Sequence, residues 1–525
     1  MEDPILKAEL VFIPAPGIGH LVSTTEFAQR LINHDRRFSA TILNIQVPSS
    51  PLVGLYVRSR AASATGIRFI DLPMVDLPSP DLFQTPEGCI SLYIQKHKPH
   101  VKHAVTNLIS SESNTVSLAG LVIDMFCTSM IDVANELSIP CYLFFTSPAG
   151  FLGFMLHLPT LDIQTTGEFL DSGTELVIPS FFNSVHPLLL PTALLKREED
   201  GYYWFLNHAR KFRETDGIIV NTFEELEPHA LRSISASGDD VPPIYPVGPL
   251  IDFTGPTKPE SDPAHPHHHE KIMNWLDHRP PSSVVLLCFG SMGSLSEAQV
   301  REIAGGLERT GFHFLWSLRQ PPKIKTEHPS DYTCRNLEQV LPHGFIERTA
   351  KRGLVCGWVP QVAVLAHTAI GGFVSHCGWN SIMESLWHGV PIATWPIYGE
   401  QQMNAFEMVK ELELAVEIRL DHRNGGDMVL AEEIEKGLRR VMEGESDLRR
   451  KVKEMGEKSR KAVERNGSSY TSLDATALAD PKVFMEAMMS EMRRVMKLEL
   501  EQVHEWIDQM ESAHEKLQKA PNVMI

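Results

Sequence analysis

Short apolar runs alternate with longer amphipathic segments along most of this chain. Residues 9–14 read as a first buried strand, 21–32 carry three-to-four spacing, and 38–45 read as a second strand. The rhythm returns with a strand at 118–123, a helix at 129–137 and a strand at 141–145. A Pro-rich stretch, 251–282, interrupts it and reads as a linker that ends in a helix near 270–277. Strands are then expected at 284–289, 312–318, 371–375 and 390–395, with a helix at 381–387 closed by Gly389. Ser294-Leu295-Ser296-Glu297 reads as a capping box on the helix after the first of these strands. Strands separated by crossover helices make parallel sheets, so the fold class is α/β and doubly wound. The expected organisation is a Rossmann-like domain over 1–250, the linker 251–282, a second Rossmann-like domain over 283–475, and a tail over 476–525. In the tail, 482–518 is rich in Met, Glu and Lys. Met485, Met489, Met492, Met496, Leu500, Val503, Ile507 and Met510 make an amphipathic helical stripe suited to loose docking or weak self-association.

Length and charge narrow the class. A chain of 525 residues exceeds one core. A formal net charge of −18 disfavours nucleic acid or an anionic membrane as partner. The seven cysteines are scattered without a CxxC, which fits reduced thiols and a cytoplasmic location. The start, Met1-Glu2-Asp3-Pro4, lacks the basic region of a signal peptide, and no apolar run is long enough to span a membrane. His265, His267, His268 and His269 cluster in the linker, where flexible histidines bind metal adventitiously; no metal constellation is expected at the site.

The most informative stretch is 358–401. His376-Cys377-Gly378-Trp379-Asn380 reads as a turn between the strand at 371–375 and the helix after it. Unpaired N–H groups at such a helix start bind phosphate oxygens, and the helix dipole adds to the attraction. The same stretch resembles the signature box of plant UDP-dependent glycosyltransferases that act on small lipophilic metabolites. The resemblance rests on Trp358, Pro360, Gln361, the run His376 to Ser381, Glu384, Gly389-Val390-Pro391, Trp395-Pro396 and Gln401, and it extends to about Asp474. The penultimate position carries Glu400 where the family more often has Asp.

The resemblance implies a GT-B fold, two Rossmann-like domains facing across a cleft, with UDP-glucose as co-substrate and neither cofactor nor metal. Trp358 would stack on uracil, Gln361 would bond the uridine, and Glu384 would accept the two ribose hydroxyls. His376, Asn380, Ser381 and Ser291 would bind the diphosphate, and Trp379, Glu400 and Gln401 would hold the sugar. On the residues alone, Ser381-x-x-Glu384 is also a capping box, and Trp358 could be a core tryptophan.

His20 follows the Gly17-Ile18-Gly19 loop at a strand's carboxyl end, where ligands bind in open parallel sheets. A helix-start histidine bonded to backbone is the plainer reading. Asp124 ends another predicted strand, where an N-cap is the plainer reading. The resemblance makes His20 the general base and Asp124 its orienting carboxylate, in an inverting transfer of glucose to a hydroxyl, expected to be phenolic or flavonoid-type. Phe83, Phe126, Phe144, Phe151, Phe154 and Phe205 are candidate acceptor liners. A monomer is expected. Four other readings are weaker. A hydrolase would need a glycine where Phe289 precedes Gly290-Ser291-Met292-Gly293. A nicotinamide enzyme would need a ribose-binding acid near Asn44. A non-catalytic UDP-sugar-binding protein would not need both His20 and Asp124, and an epimerase draws no support from the box.

Overall fold

The structure is a computed structural model and describes residues 7–47, 51–110, 116–238, 240–254, 268–322, 329–423 and 425–475. These belong to one compact unit that ends at Ala475. The predicted tail helix over 482–518, with His265 and His267, lies outside the described residues.

Seven strands make the first sheet: β1 Lys7–Ile13, β2 Phe38–Asn44, β3 Ile67–Asp71, β4 Val116–Asp124, β5 Cys141–Phe145, β6 Gly217–Val220 and β7 Ile244–Pro246. Their order is β3-β2-β1-β4-β5-β6-β7, and every pairing is parallel. The second half contributes β8 Val284–Cys288, β9 His313–Ser317, β10 Arg319–Gln320, β11 Ser330–Asp331, β12 Gly353–Cys356, β13 Ile370–Ser375, β14 Ile392–Thr394 and β15 Ala415–Glu417. Six of these form a parallel sheet, β12-β9-β8-β13-β14-β15, while β10 and β11 make a small antiparallel hairpin. Both sheets reverse strand order beside their first strand, between β1 and β4 and between β8 and β13. Crevices for ligands open at the strand carboxyl ends of such switch points.

The strands are apolar on both faces because helices cover both. Leu10, Val11, Phe12 and Ile13 are fully buried, as are Val284 to Leu287. Phe27 of the helix Ile18–His34 stacks on Phe144 and meets Phe12 edge-on, fixing that helix under β1 and β5. The carboxyl ends of the two sheets face each other: Ser147, beyond β5, donates to Glu400, beyond β14, at 3.0 Å. The last described helix, Ser468–Ala475, returns to the first half. There Ser469 donates to the Gly248 carbonyl at 2.5 Å, and Asp474 pairs with His34 at 2.8 Å.

Two local readings shift. The box expected at 294–297 does not form. Ser296 caps the helix Glu297–Thr310 by accepting from Gln299 N–H, and Gln299 instead bonds the backbone of Val429. The helix expected at 381–387 begins two residues earlier, at Trp379.

Candidate active site

β1 runs into Gly17, whose extended backbone opens the helix Ile18–His34 and places His20 in its first turn. Asp124 ends β4, on the other side of the switch point, and the register sets Ile13 beside Ile123 so that the two ends are level. His20 Nδ1 lies 2.8 Å from Asp124 Oδ2. Asp124 does not cap a helix. It is fully buried, and its other oxygen accepts the Phe126 N–H at 3.1 Å, which locks the carboxylate at the strand end. An imidazole whose Nδ1–H donates a hydrogen bond to this carboxylate presents an unprotonated Nε2 as a base. Burial pulls the His20 pKa down, but the charge and hydrogen bond of Asp124, with a contribution from Glu400, hold it above its ordinary value.

The second half supplies a helix N-terminus. Cys377 takes φ 62°, a left-handed conformation rare outside glycine. Its N–H donates to Ser375 Oγ at 3.1 Å, and its carbonyl accepts from Asn404 Nδ2 at 3.0 Å. This held turn delivers Gly378 as N-cap of the helix Trp379–Trp387, with no capping side chain. The first helical bond is Ile382 N–H to the Gly378 carbonyl, so the N–H groups of Trp379, Asn380 and Ser381 have no acceptor within the helix. Ser381 is therefore the third helical residue, and the Ser381-x-x-Glu384 pattern is not a cap.

Several of the predicted side chains meet at this turn, and most of those are already engaged. Gln361 Nε2 donates to Ser381 Oγ and to Glu384 Oε2, each at 2.7 Å. Asn380 reaches the other half: Nδ2 donates to the Gly19 carbonyl at 3.1 Å, and Oδ1 accepts from Ser23 Oγ at 3.0 Å. Trp379 is buried and gives its indole N–H to the Asn221 carbonyl at 2.6 Å. For Trp379 and Asn380, the side chain is thus engaged and the backbone N–H is the group left without an intrahelical acceptor. Gln401 accepts from the N–H groups of Ile397 and Tyr398 at 3.0 and 3.1 Å. His376 is buried against Gly290 and Gly378, where a Cβ would come within 2.5 and 2.6 Å of its Nε2. Its Nδ1 has no partner among the described residues. Burial lowers the His376 pKa to about 4, so this ring is a neutral donor at pH 7 and not a charge. Ser291 follows Gly290, which takes φ 76° in the turn after β8. Trp358 is half-buried beyond β12. Among the described residues, no three His, Cys, Asp or Glu side chains converge to hold a metal ion.

Residues 226–449 match the family model described as UDP-glucoronosyl and UDP-glucosyl transferase. UDP-glycosyltransferase 43 of Pueraria montana var. lobata is 54% identical over 89% of this chain and 98% of its own length. The chain belongs to the UDP-glycosyltransferases. This transferase is also 51% identical to UDP-glucose flavonoid 3-O-glucosyltransferase 6 of Fragaria ananassa, over 89% of this chain and 97% of that protein. Its fold matches the crystal structure of Medicago truncatula UGT71G1 complexed with UDP-glucose, with a TM-score of 0.80 and 46% identity over 89% of this chain and 97% of that one. The fold is GT-B.

Of the candidate acceptor liners, the transferase brings Phe126 and Phe205 to the base. Phe126 meets the His20 ring edge-on with centroids 5.8 Å apart, and Phe205 packs on Phe126 at 6.0 Å. Phe83 is half-buried in the loop before the helix Pro86–Lys96. Phe144, Phe151 and Phe154 are fully buried in the core. Sequence reasoning missed Thr146 and Ser147, just beyond β5. Thr146 Oγ1 lies 3.4 Å from His20 Nδ1, and Ser147 holds Glu400. The signal was available: they follow a third strand's carboxyl end, much as His20 follows β1 and Asp124 ends β4.

Proposed function

We propose that this UDP-glycosyltransferase moves glucose from UDP-glucose to a hydroxyl of a small lipophilic acceptor of phenolic, flavonoid-like chemistry, with inversion at the anomeric carbon. The observation that carries the reading is the buried Asp124 holding His20 beside half-buried Phe126, opposite an uncapped helix N-terminus. His20 Nε2 takes the acceptor's hydroxyl proton as the oxygen bonds to the anomeric carbon. The bond from that carbon to the UDP oxygen breaks, and its electron pair leaves with UDP. Asp124 keeps the imidazole in the needed tautomer and balances the charge it gains, a role analogous to the carboxylate of a catalytic triad.

The donor roles follow from what each group has left to offer. Trp358 presents a ring to uracil and Glu384 a carboxylate to the ribose hydroxyls, with Gln361 bridging Glu384 and Ser381. The N–H groups of Trp379, Asn380 and Ser381, with neutral His376 and Ser291, face the diphosphate, while Glu400 and Gln401 face the sugar. The N-terminal half, 1–250, would bind the acceptor and 283–475 the donor. The free described cysteines suit a reducing cytoplasm.

The test is incubation with UDP-glucose and a panel of phenolic, terpenoid and carboxylic acceptors, read by mass spectrometry and by NMR of the anomeric proton. A phenolic β-glucoside is expected. Binding of UDP-glucose without transfer to any acceptor would overturn the catalytic reading, and an α-linked product would overturn inversion.

A further inference from the structure

The Trp358 indole does not stand alone in its half-buried position. Arg319, at the start of β10, places its guanidinium carbon 5.6 Å from the centre of the Trp358 ring. Asp331, paired with Arg319 across the β10–β11 hairpin, lies 3.0 Å from Arg319 Nε and accepts the Trp358 backbone N–H at 3.1 Å. The Trp358 carbonyl sits 2.8 Å from His268 Nε2 on the helix His268–Asp277. Gly357 makes the approach possible, because a Cβ there would lie 2.2 Å from the Asp331 carboxylate carbon. Arg319 further donates to the Pro329 carbonyl. Its side chain is 10% exposed, and its charge is matched by Asp331.

From this geometry we propose that Arg319 and Asp331 are positioning residues for the donor base: they clamp Trp358 at its ring and its backbone so that the indole is pre-set as the uracil platform. The inference rests on the reading of Trp358 as that platform. A guanidinium on an aromatic face fixes the ring's orientation by a cation–π contact. Binding a planar base then requires less ordering of the ring, which is the way a preorganised site gains affinity. Because Asp331 neutralises Arg319, the arginine acts through Trp358 and not as a phosphate ligand.

The experiment is a double-mutant cycle on the full chain, with UDP and uridine titrated by calorimetry. Arg319→Met should weaken both ligands by about three- to ten-fold, the range a partly desolvated cation–π contact supports. It should raise KM for UDP-glucose and leave kcat within about two-fold, since the contact is made equally in ground and transition states. In a Trp358→Leu background the same change should have less than a two-fold effect. Weakening of UDP with uridine spared would reveal phosphate attraction and overturn the proposal, as would a full Arg319→Met effect in the Trp358→Leu background. Unchanged UDP affinity in Trp358→Leu alone would remove the platform itself, an outcome distinct from failure of the cycle. If Arg319→Met does not fold, Arg319→Gln, which also removes the charge but keeps a planar polar end, runs through the same cycle with the same readings.

Discussion

With Glu384 proposed to hold the ribose, the donor site should be sensitive to pH, and the size of the effect follows from the surroundings of that carboxyl. Burial and the charge of Asp252 push its pKa up to about 7, against the pull of the hydrogen bond from Gln361. Only the ionised carboxylate can accept both ribose hydroxyls without presenting a proton of its own. At pH 6 roughly one carboxyl in eleven is ionised and at pH 8 roughly ten in eleven, so affinity for the ribose should rise about ten-fold across that interval. Uridine is the ligand to titrate, because the terminal phosphate of UDP itself ionises near pH 6. Calorimetry from pH 5.5 to 8 should show uridine affinity climbing with a midpoint near 7 and protons released on binding at the acid end. Glu384→Gln should bind more weakly and show no such climb. Asp252→Asn, by removing a neighbouring negative charge, should move the midpoint to lower pH. A flat profile for the native chain, or the same slope in Glu384→Gln, would refute the assignment of Glu384 to the ribose.

Three further outcomes are expected. His20→Ala should cut transfer by about 10²- to 10⁴-fold, the usual worth of a positioned base, while UDP affinity stays within a few-fold; a near-native rate would sink the mechanism. Glu407→Gln should stabilise the fold increasingly as pH rises above the normal carboxyl range. Burial, together with the charge and hydrogen bond of Glu227 and the charge of Glu411, holds the Glu407 pKa well above its ordinary value, so the folded chain keeps a proton that the unfolded chain gives up, and each tenfold difference in acidity between the two states is worth about 1.4 kcal/mol. Parallel melting-temperature profiles for the two proteins would contradict it. Transfer should survive EDTA, because N–H groups are assigned to the diphosphate; complete loss restored by Mg²⁺ or Mn²⁺ would reverse that assignment.

What the sequence revealed, and what it hid, follows range. Strands buried on both faces announce themselves as apolar runs, so 141–145 and 284–289 were legible to within a residue or so. Strand carboxyl ends then located His20 and Asp124, although only the sheet order could show them meeting at 2.8 Å. The helix start at Trp379 was not legible because the turn before it uses Cys377 at positive φ, where a glycine would have been the signal. The serine–glutamate spacing at 381–384 also imitated a cap that the structure does not form. The same limit hid the partners of Trp379 and Asn380, since Asn221 and Gly19 lie far away in sequence. It also hid the burial of Phe144, Phe151 and Phe154: an aromatic side chain looks the same in a string whether it lines a pocket or fills a core.

The chain's formal charge of −18 sets the problem that the donor site has to solve. Salt screens exposed charges over about 8 Å at physiological ionic strength, so most of that charge is weak at the cleft. The local groups decide, and they are not cationic in effect: Asp331 offsets Arg319, and His376 is neutral at pH 7. Three backbone N–H groups without intrahelical acceptors remain, at the positive end of a helix that carries no capping side chain. They cannot be titrated away, and the Cys377 turn holds them in place. Negative charge grows on the departing diphosphate as the sugar transfers, so donors fixed in advance stabilise the transition state more than the ground state, where that charge has yet to develop. On the proposed reading, an uncapped helix start, unfavourable for folding on its own, is then the feature that would let an acidic chain bind an anionic donor and stabilise its leaving group.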